Sequence, residues 1–449
     1  MRSRAQSRAW WGTVVPVPTG RLALVAAVLS LAAAALPFPT VAALVVVNLG
    51  LIVVAVVDAR LSPAPADVPV TRRFPDVVAL GQEAELAWRI DNPATRSISV
   101  EVADELAPTL RAGRRRLTAR VPASGAATLT TRIRPTRRGR FAISALAVRT
   151  TGPLGLAARH ATRHVPRLLR VYPAFPSRDE AELRVSRARI LEVGLRSAQG
   201  RGGGTDFDAL REYSPDDEFR RIDWAATARS SRAIVRTYRA ERNQTILLLL
   251  DTGRVMAGRV GEGPRLEHAM DAVMMLTTVA TRLGDRAGLV AFDDDVRAVV
   301  PPSHGRGQLS RVTEAMYELD AQLVESDYRG AFTSALARFR RRALIVVFTD
   351  LAEQAIAESL LPALPLVVRD HLVVVASVQD PEVVGWSRQV PADASDAYRA
   401  AAAVAALEER RRVVASLRGR GVTVVDAPPG RLAPELADAY LKVKATGRL

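Results

Sequence analysis

Two aspartates in the C-terminal half stand where chemistry could occur. Asp251 and Asp350 follow the apolar runs Ile246-Leu-Leu-Leu-Leu250 and Leu344-Ile-Val-Val-Phe348. If these runs are central neighbours in a doubly wound sheet, their carboxyl ends flank the crevice in which such sheets bind ligands. Two carboxylates there could hold a hard divalent cation through oxygen ligands. Aspartates at such positions also serve as helix N-caps or loop residues, the reading preferred for Asp380 and Asp426. Asp293-Asp294-Asp295 reads as a turn, because a calcium loop needs a glycine and a terminal glutamate that are missing. The chain has no cysteine, which excludes disulfides, thiolate zinc sites and a cysteine nucleophile. His160 and His164 are spaced for one helix face, yet no third histidine or carboxylate is near in sequence. The glycines of Gly200-Arg-Gly-Gly-Gly204 lack the Lys-Ser/Thr pair of a P-loop, and neither Gly-x-Ser-x-Gly nor His-Glu-x-x-His occurs.

The elements that must position the aspartates are legible. From Thr245 onward, Ile246–Leu250, Gly288–Phe292, Leu344–Phe348, Leu372–Ala376 and Val422–Val425 are near-continuous apolar runs. Helical patterns over Arg265–Leu283, Gln308–Leu319, Phe332–Arg340 and Ala397–Leu417 separate them. Such alternation predicts a parallel sheet covered on both faces. Val296–Val300, after the acidic turn, is expected to form an antiparallel hairpin with the second strand. Upstream, Ala84–Ile90, Ile98–Val102, Ala127–Ile133 and Phe141–Val148 are short alternating or β-branched segments punctuated by turn residues, as in a small β-sandwich.

Leu22–Leu36 and Val41–Val57 carry no charged side chain and are separated by Pro37-Phe38-Pro39-Thr40. Each is slightly shorter than the roughly 20 apolar residues of a spanning helix, and flanking residues complete the crossing. A cleavable signal peptide or a buried hairpin are the competing readings. Arg2, Arg4, Arg8 and Arg21 precede the pair, and Arg60, Arg72 and Arg73 follow it. The positive-inside rule then places both ends in the cytoplasm, with Trp10 and Trp11 as interfacial anchors.

The net charge of +16 is not evenly spread. Residues 60–240 hold 33 arginines against 19 carboxylates, whereas the remainder from Glu241 is close to neutral. No Asp or Glu lies between Leu106 and Ser177. The excess therefore sits beside the expected membrane segment, where Arg60, Arg72 and Arg73 would meet the lipid surface. Few aromatics interleave with these cations, so nucleic acid is not the expected partner.

One further stretch is dense in charge around aromatics. Asp206, Phe207, Leu210, Arg211 and Tyr213, then Asp217, Arg220, Arg221, Asp223, Trp224 and Arg229, read as a docking or inter-domain segment. The run Gly204-Thr-Asp-Phe-Asp-Ala-Leu-Arg-Glu-Tyr and Arg220-Arg-Ile-Asp-Trp-Ala-Ala-Thr-Ala-Arg229 resembles the signature of domain of unknown function family 58. Arg137-Arg-Gly-Arg-Phe141, Gly152-Pro-Leu-Gly-Leu156, Val171-Tyr-Pro173 and Phe348-Thr-Asp350 extend the resemblance along the chain, including the two-helix anchor.

The resemblance implies a von Willebrand factor A-like, Rossmann-type domain at the C-terminus. It also implies a link to MoxR-type AAA+ ATPases in assembly or maturation of other complexes. An intact metal-ion-dependent adhesion site in such domains reads Asp-x-Ser-x-Ser; here Asp251-Thr-Gly-Arg-Val255 replaces both serines. Asp251, Asp350 and Thr333, or a neighbour of Thr333 in the Tyr328–Ser334 stretch, are what remains of the ligand set for Mg²⁺.

The expected organisation is multidomain. A tail and transmembrane hairpin occupy 1–60, with helices at about 22–39 and 41–58. An all-β sandwich-like domain spans 61–176, a connecting segment 177–242, and a doubly wound α/β domain 243–449. The expected function is a non-catalytic scaffold of the cell (inner or plasma) membrane, its soluble part cytoplasmic, that binds a MoxR-type ATPase and client proteins. A metal-dependent hydrolase at the two aspartates, and nucleic-acid binding by the arginine-rich region, are the alternatives.

Overall fold

The computed structural model describes residues 16–34, 40–198, 206–214, 219, 222–239, 244–261 and 263–446. Two compact units divide it, Met1–Tyr172 and Pro173–Leu449. The chain is thus multidomain, with a β-rich N-terminal region.

The first unit opens with β1 (Pro16–Pro18), α1 (Gly20–Ala34) and α2 (Thr40–Leu61). Val41–Leu61, with a mean hydropathy of 2.6, is long and apolar enough to cross a membrane. At 1.5 Å per residue it reaches about 32 Å, against a hydrocarbon core of about 30 Å. α1 is apolar but shorter, at 15 residues. The helices touch through Asn48, whose Nδ2 donates to Ser30 Oγ at 3.3 Å and to Leu44 O at 2.8 Å.

The lower end of α2 is fixed by a buried carboxylate. Asp58 accepts the backbone N–H groups of Leu154 (2.7 Å), Leu156 (2.8 Å) and Ala157 (3.3 Å). A Cβ at Gly152 would collide with that carboxyl, so the loop approaches closely only because glycine stands there. Thr19, just before α1, donates through Oγ1 to Gly155 O and Leu156 O at 2.6 and 3.0 Å. Both helix ends are therefore bonded to the Gly152-Pro-Leu-Gly-Leu156 turn.

Eight further strands follow: β2 (Val70–Arg73), β3 (Val77–Ala79), β4 (Ala84–Asp91), β5 (Ile98–Asp104), β6 (Arg116–Val121), β7 (Ala126–Ile133), β8 (Gly139–Thr151) and β9 (Ala157–Tyr172). They form a sheet of order β1-β9-β8-β5-β6, with β3 also on β9, and a second sheet β2-β4-β7. Inward residues alternate along β4 and β5 (Leu86, Trp88, Ile90; Ile98, Val100, Val102) and share one core with Leu146, Val148 and Val171. His160 and His164, spaced for a helix face, lie exposed on strand β9. A spacing of four shares a face in a strand as well as in a helix.

Arg72 departs from the expected membrane-surface role. Its side chain is only 4% exposed and forms a bidentate pair with Asp104. It also donates to Ile143 O and Val165 O, while Trp88 Nε1 donates to Asp104 Oδ2 at 2.5 Å. A carboxylate at the core of a sandwich needs a charged partner, and alternation on β2 turns Arg72 inward. Arg73 and Arg60 are exposed.

In the second unit, α3 (Arg178–Ala198) precedes a hairpin of β10 (Asp206–Glu212) and β11 (Ile234–Arg239), with α4 (Trp224–Ser230) between them. Then come β12 (Thr245–Asp251), α5 (Arg265–Arg282), β13 (Arg286–Phe292), β14 (Val296–Ser303), α6 (Gly307–Met316), α7 (Tyr328–Arg338), β15 (Leu344–Phe348), β16 (Leu372–Val378), α8 (Pro381–Trp386), α9 (Ala394–Gly419), β17 (Thr423–Ala427) and α10 (Leu432–Ala445). The sheet order is β14-β13-β12-β15-β16-β17, every pair parallel except β13–β14.

Both faces are covered, which is why these strands read as continuous apolar runs. Ile246, Leu248 and Leu250 face α3, α5, α6 and α10, whereas Leu247 and Leu249 face α7, a helical stretch over 353–368, and α9. Each fully buried leucine contributes about 1.5–3 kcal/mol. The segment expected as a connector begins with α3, whose Ala181 and Val185 are buried in this core. Ser177, just before α3, bonds Asp271 of α5 through N and Oγ at 3.2 and 2.7 Å.

Truncating Arg72 would leave Asp104 buried and unpaired. Arg72→Ala is predicted to lower the stability of the full-length protein by roughly 3–5 kcal/mol. Arg73→Ala should stay within about 0.5 kcal/mol. Denaturant unfolding in detergent measures both, and equal losses would contradict the structural role of Arg72.

Candidate functional site

β12 and β15 are neighbours, with Leu250 opposite Phe348, so Asp251 and Asp350 emerge side by side at the carboxyl edge of the sheet. Asp251 is fully buried. Its Oδ1 accepts from Gly253 N at 2.8 Å and Ser326 Oγ at 2.6 Å. Oδ2 accepts from Tyr328 OH at 2.8 Å and Thr349 Oγ1 at 2.7 Å. Tyr328 OH and Thr349 Oγ1 also lie 2.7 Å from each other, so these two hydroxyls and Oδ2 form a closed triangle. Burial pushes the Asp251 pKa up, against the pull of the four bonds. Burial and the adjacent Asp251 charge push the Tyr328 phenol well above its ordinary range, so it stays a donor.

Asp350 is bound into a second cluster. Arg410, from α9, donates to Asp350 Oδ1 at 2.9 Å, to both oxygens of Asp426 at 2.7 and 2.9 Å, to Ser377 Oγ at 2.7 Å and to Val378 O at 3.1 Å. Burial acts to lower the Arg410 pKa, but the bonds and charges of Asp426 and Asp350 outweigh it and raise it. The guanidinium thus joins the ends of β15, β16 and β17 as a fixed cation.

This donor set does not fit Mg²⁺. Both Asp251 oxygens already accept from hydroxyls or an N–H, and Asp350 Oδ1 already has a protein cation. Thr333 does not join them; it is exposed on α7. The physical reason is helix phase. α7 begins at Tyr328, capped by Asp327, and its first residue turns inward while Thr333 turns out. A Cβ at Gly253 would collide with the Ser326 hydroxyl, so Ser326 occupies the space that a side chain at position 253 would need. Among the described residues, no group of three or more His, Cys, Asp or Glu is arranged to hold a metal ion.

Ser326, Tyr328, Thr349, Ser377, Arg410 and Asp426 complete the site; of these, only Tyr328 falls in a stretch, Tyr328–Ser334, that the sequence offered for it. Thr349 directly precedes Asp350 and carried a local signal. Arg410 lies within Glu408-Glu-Arg-Arg-Arg412 and carried none. Asp426, read as a cap or loop residue, is a strand residue paired with Arg410. Asp380 does cap α8, accepting from Glu382 N at 2.9 Å. Asp293 is buried in the β13–β14 turn and held by Arg297.

The charged signature forms the β10–α4–β11 hairpin. Asp206 and Phe207 pair with Arg239 and Tyr238, and Leu210 and Arg211 with Arg236 and Val235. Asp223 is the N-cap of α4, accepting from Ala225 N and Ala226 N, each at 3.0 Å. Tyr213 N donates to Ala233 O at 2.8 Å. Trp224 and Phe219 are exposed and meet edge to face at 5.7 Å, and Leu210 and Arg229 are exposed as well. Asp217, Arg220 and Arg221 lie outside the described residues.

Residues 209–395 match the family described as "Protein of unknown function DUF58". This segment is similar to that family. Three mycobacterial relatives are each 27% identical over 152 residues. Those from Mycobacterium bovis (Mb1516) and Mycobacterium tuberculosis (Rv1480, MT1527) are described as uncharacterized proteins. The match covers 33% of this chain and 48% of each relative, so the chain spans about half the length of the curated relatives. Among solved structures, the CARDB domain of the PF1109 protein from Pyrococcus furiosus, in complex with di-metal ions, is 18% identical. It covers 25% of this chain and 90% of that one, with a TM-score of 0.17. A solution structure of the same domain covers 23% and 94%, with a TM-score of 0.15. The matched segment contains Asp251 and all four of its donors, and ends before Arg410 and Asp426.

Asp251→Ala would remove the acceptor that Ser326, Tyr328 and Thr349 share, leaving buried Tyr328 and Thr349 only each other at 2.7 Å. Each unsatisfied group costs about 1–3 kcal/mol, so the variant should lose at least ~2 kcal/mol in unfolding experiments, with Thr333→Ala within about 0.5 kcal/mol. Millimolar Mg²⁺ should leave the unfolding midpoint of the unmutated protein in place. An Mg²⁺-dependent rise that Asp251→Ala abolishes would refute the engaged-carboxylate account.

Proposed function

We propose that this protein is a membrane-anchored, non-catalytic interaction scaffold that works with a MoxR-type AAA+ ATPase in assembly or maturation of other proteins. The observation that carries the reading is the engagement of the crevice carboxylates by the protein itself: both oxygens of Asp251 and Oδ1 of Asp350 already accept from protein donors, which disfavours a general base there. The C-terminal unit is read as von Willebrand A-like. What supports this is the strand order, 3-2-1-4-5-6 when β12 is counted as first, with one antiparallel edge strand. That order is also the order of Rossmann-type sheets, which bind ligands at this edge.

Both N-terminal helices are read as membrane spans, with the N-terminus and both soluble units in the cytoplasm. Arginines mark one end of the pair, with Arg21 in the first turn of α1, Arg60 in the last turn of α2 and Arg73 beyond it. α1 crosses with help from its flanking residues. Docking is assigned to the β10–α4–β11 hairpin, where the ring pair Trp224 and Phe219 stands in solvent. Exposed aromatics of this kind are enriched at interfaces.

Two measurements test these readings. Crosslinked purification of the tagged full-length protein from native membranes should recover a AAA+ ATPase, and Trp224→Ala should reduce the yield several-fold. Good bait recovery without any ATPase would sink the scaffold proposal. Because the chain has no cysteine, single introduced thiols report topology cleanly. In intact cells, a membrane-impermeant maleimide should label Pro37→Cys but not Ser303→Cys; labelling of Ser303→Cys would reverse the orientation.

A further inference from the structure

A cavity of about 560 Å³ opens between α8, α9 and the end of β17. Its floor is Arg410 with Asp426, whose hydrogen-bonding groups already serve each other and Asp350. Its rim carries three more guanidinium groups, from Arg388, Arg411 and Arg418, all exposed. Among the described residues, no carboxylate forms an ion pair with any of these three. The wall between them is aliphatic, from Val384, Leu407 and Val414.

The spacing along α9 is regular. Leu407, Arg411, Val414 and Arg418 fall at i, i+4, i+7 and i+11, a single helix face that alternates apolar and cationic. Arg411 and Arg418 are two turns apart, about 10.5 Å along the axis at 1.5 Å per residue. A lone phosphate cannot span that interval, nor would it use the aliphatic wall. A second helix can do both, if acids face the arginines and aliphatic side chains face Leu407 and Val414. Helix-in-groove recognition reads anchors at this same periodicity.

We propose that this groove binds an acidic amphipathic helix of a partner protein. The net excess of cations at the rim, with the floor internally neutralised in part, gives the groove its selectivity for that charge pattern. The inference rests on the reading of the C-terminal unit as a partner-binding module and names the chemistry of what it binds.

The test uses full-length protein in detergent and a fluorescein-labelled, alanine-based helical peptide with Glu and Leu alternating at i, i+4, i+7 and i+11. Fluorescence anisotropy should report saturable binding that weakens with salt. The double variant Arg411→Glu/Arg418→Glu should bind at least about tenfold more weakly, since like charges then face each other. Arg412→Glu, also exposed on α9, should bind as the unmutated protein does, and unfolding midpoints check that both variants fold. Absence of binding by the unmutated protein, equal binding by the double variant, or equal binding of a peptide with Gln in place of Glu would overturn the proposal. Displacement of the peptide by inorganic phosphate, beyond that by chloride at equal ionic strength, would overturn it in favour of a phosphate site. The peptide readout needs no ATPase, so its failure leaves the purification result standing, and the reverse holds too.

Discussion

A carboxylate taken out of water must be met by donors from the protein, and this requirement recurs at the points where the fold joins segments distant in sequence. Asp58 gathers three N–H groups from the Gly152–Leu156 turn. Asp104 gathers Arg72 and Trp88. Asp285, at the opposite sheet edge from Asp251, takes Tyr440, Lys444 and the backbone N of Gln244. Asp251 and the Asp350–Arg410–Asp426 bridge complete the series. In each case the acid lies near an element end and its partners come from elsewhere in the chain.

Such pairs add less stability than their geometry suggests, because desolvation offsets most of the attraction. Removing one partner, by contrast, leaves a charge or a donor stranded, and the penalty is large. The consequence is positional. Arg410 fixes α9 against the ends of three strands, and Ser326 and Tyr328 fix the start of α7 against β12. The crevice is thereby rigid.

The strands of the C-terminal unit were legible because burial on both faces makes them uniformly apolar, and the hairpin of β13 and β14 followed from the acidic turn. The long β9 was not, since much of its length is exposed and carries arginine and histidine without a clean alternation. α3 is also polar in sequence over most of its length, and among its described side chains Ala181 and Val185 are the ones buried in the core. At the site, Asp251 and Asp350 were visible as strand-end acids. Their partners were not, because hydroxyls carry no sequence signature and Arg410 is one arginine among several. Thr333 failed for a related reason. Helix phase is set by where α7 begins, and that depends on the Asp327 cap rather than on the threonine itself.

Arg410 belongs to both the crevice and the groove beside α9, and its engagement governs what each can do. Were its guanidinium free, the groove floor would be the strongest anion site in the unit, and a compact anion would bury itself there. With most of its N–H groups committed to Asp350, Asp426, Ser377 and Val378, and two carboxylates against its single charge, the floor has little to offer such an ion. The available positive charge moves out to Arg388, Arg411 and Arg418, where it is spread along a helix rather than focused at a point. A charge distribution of that shape favours an extended partner over a small one, because only an extended partner meets the separated cations and the aliphatic wall together.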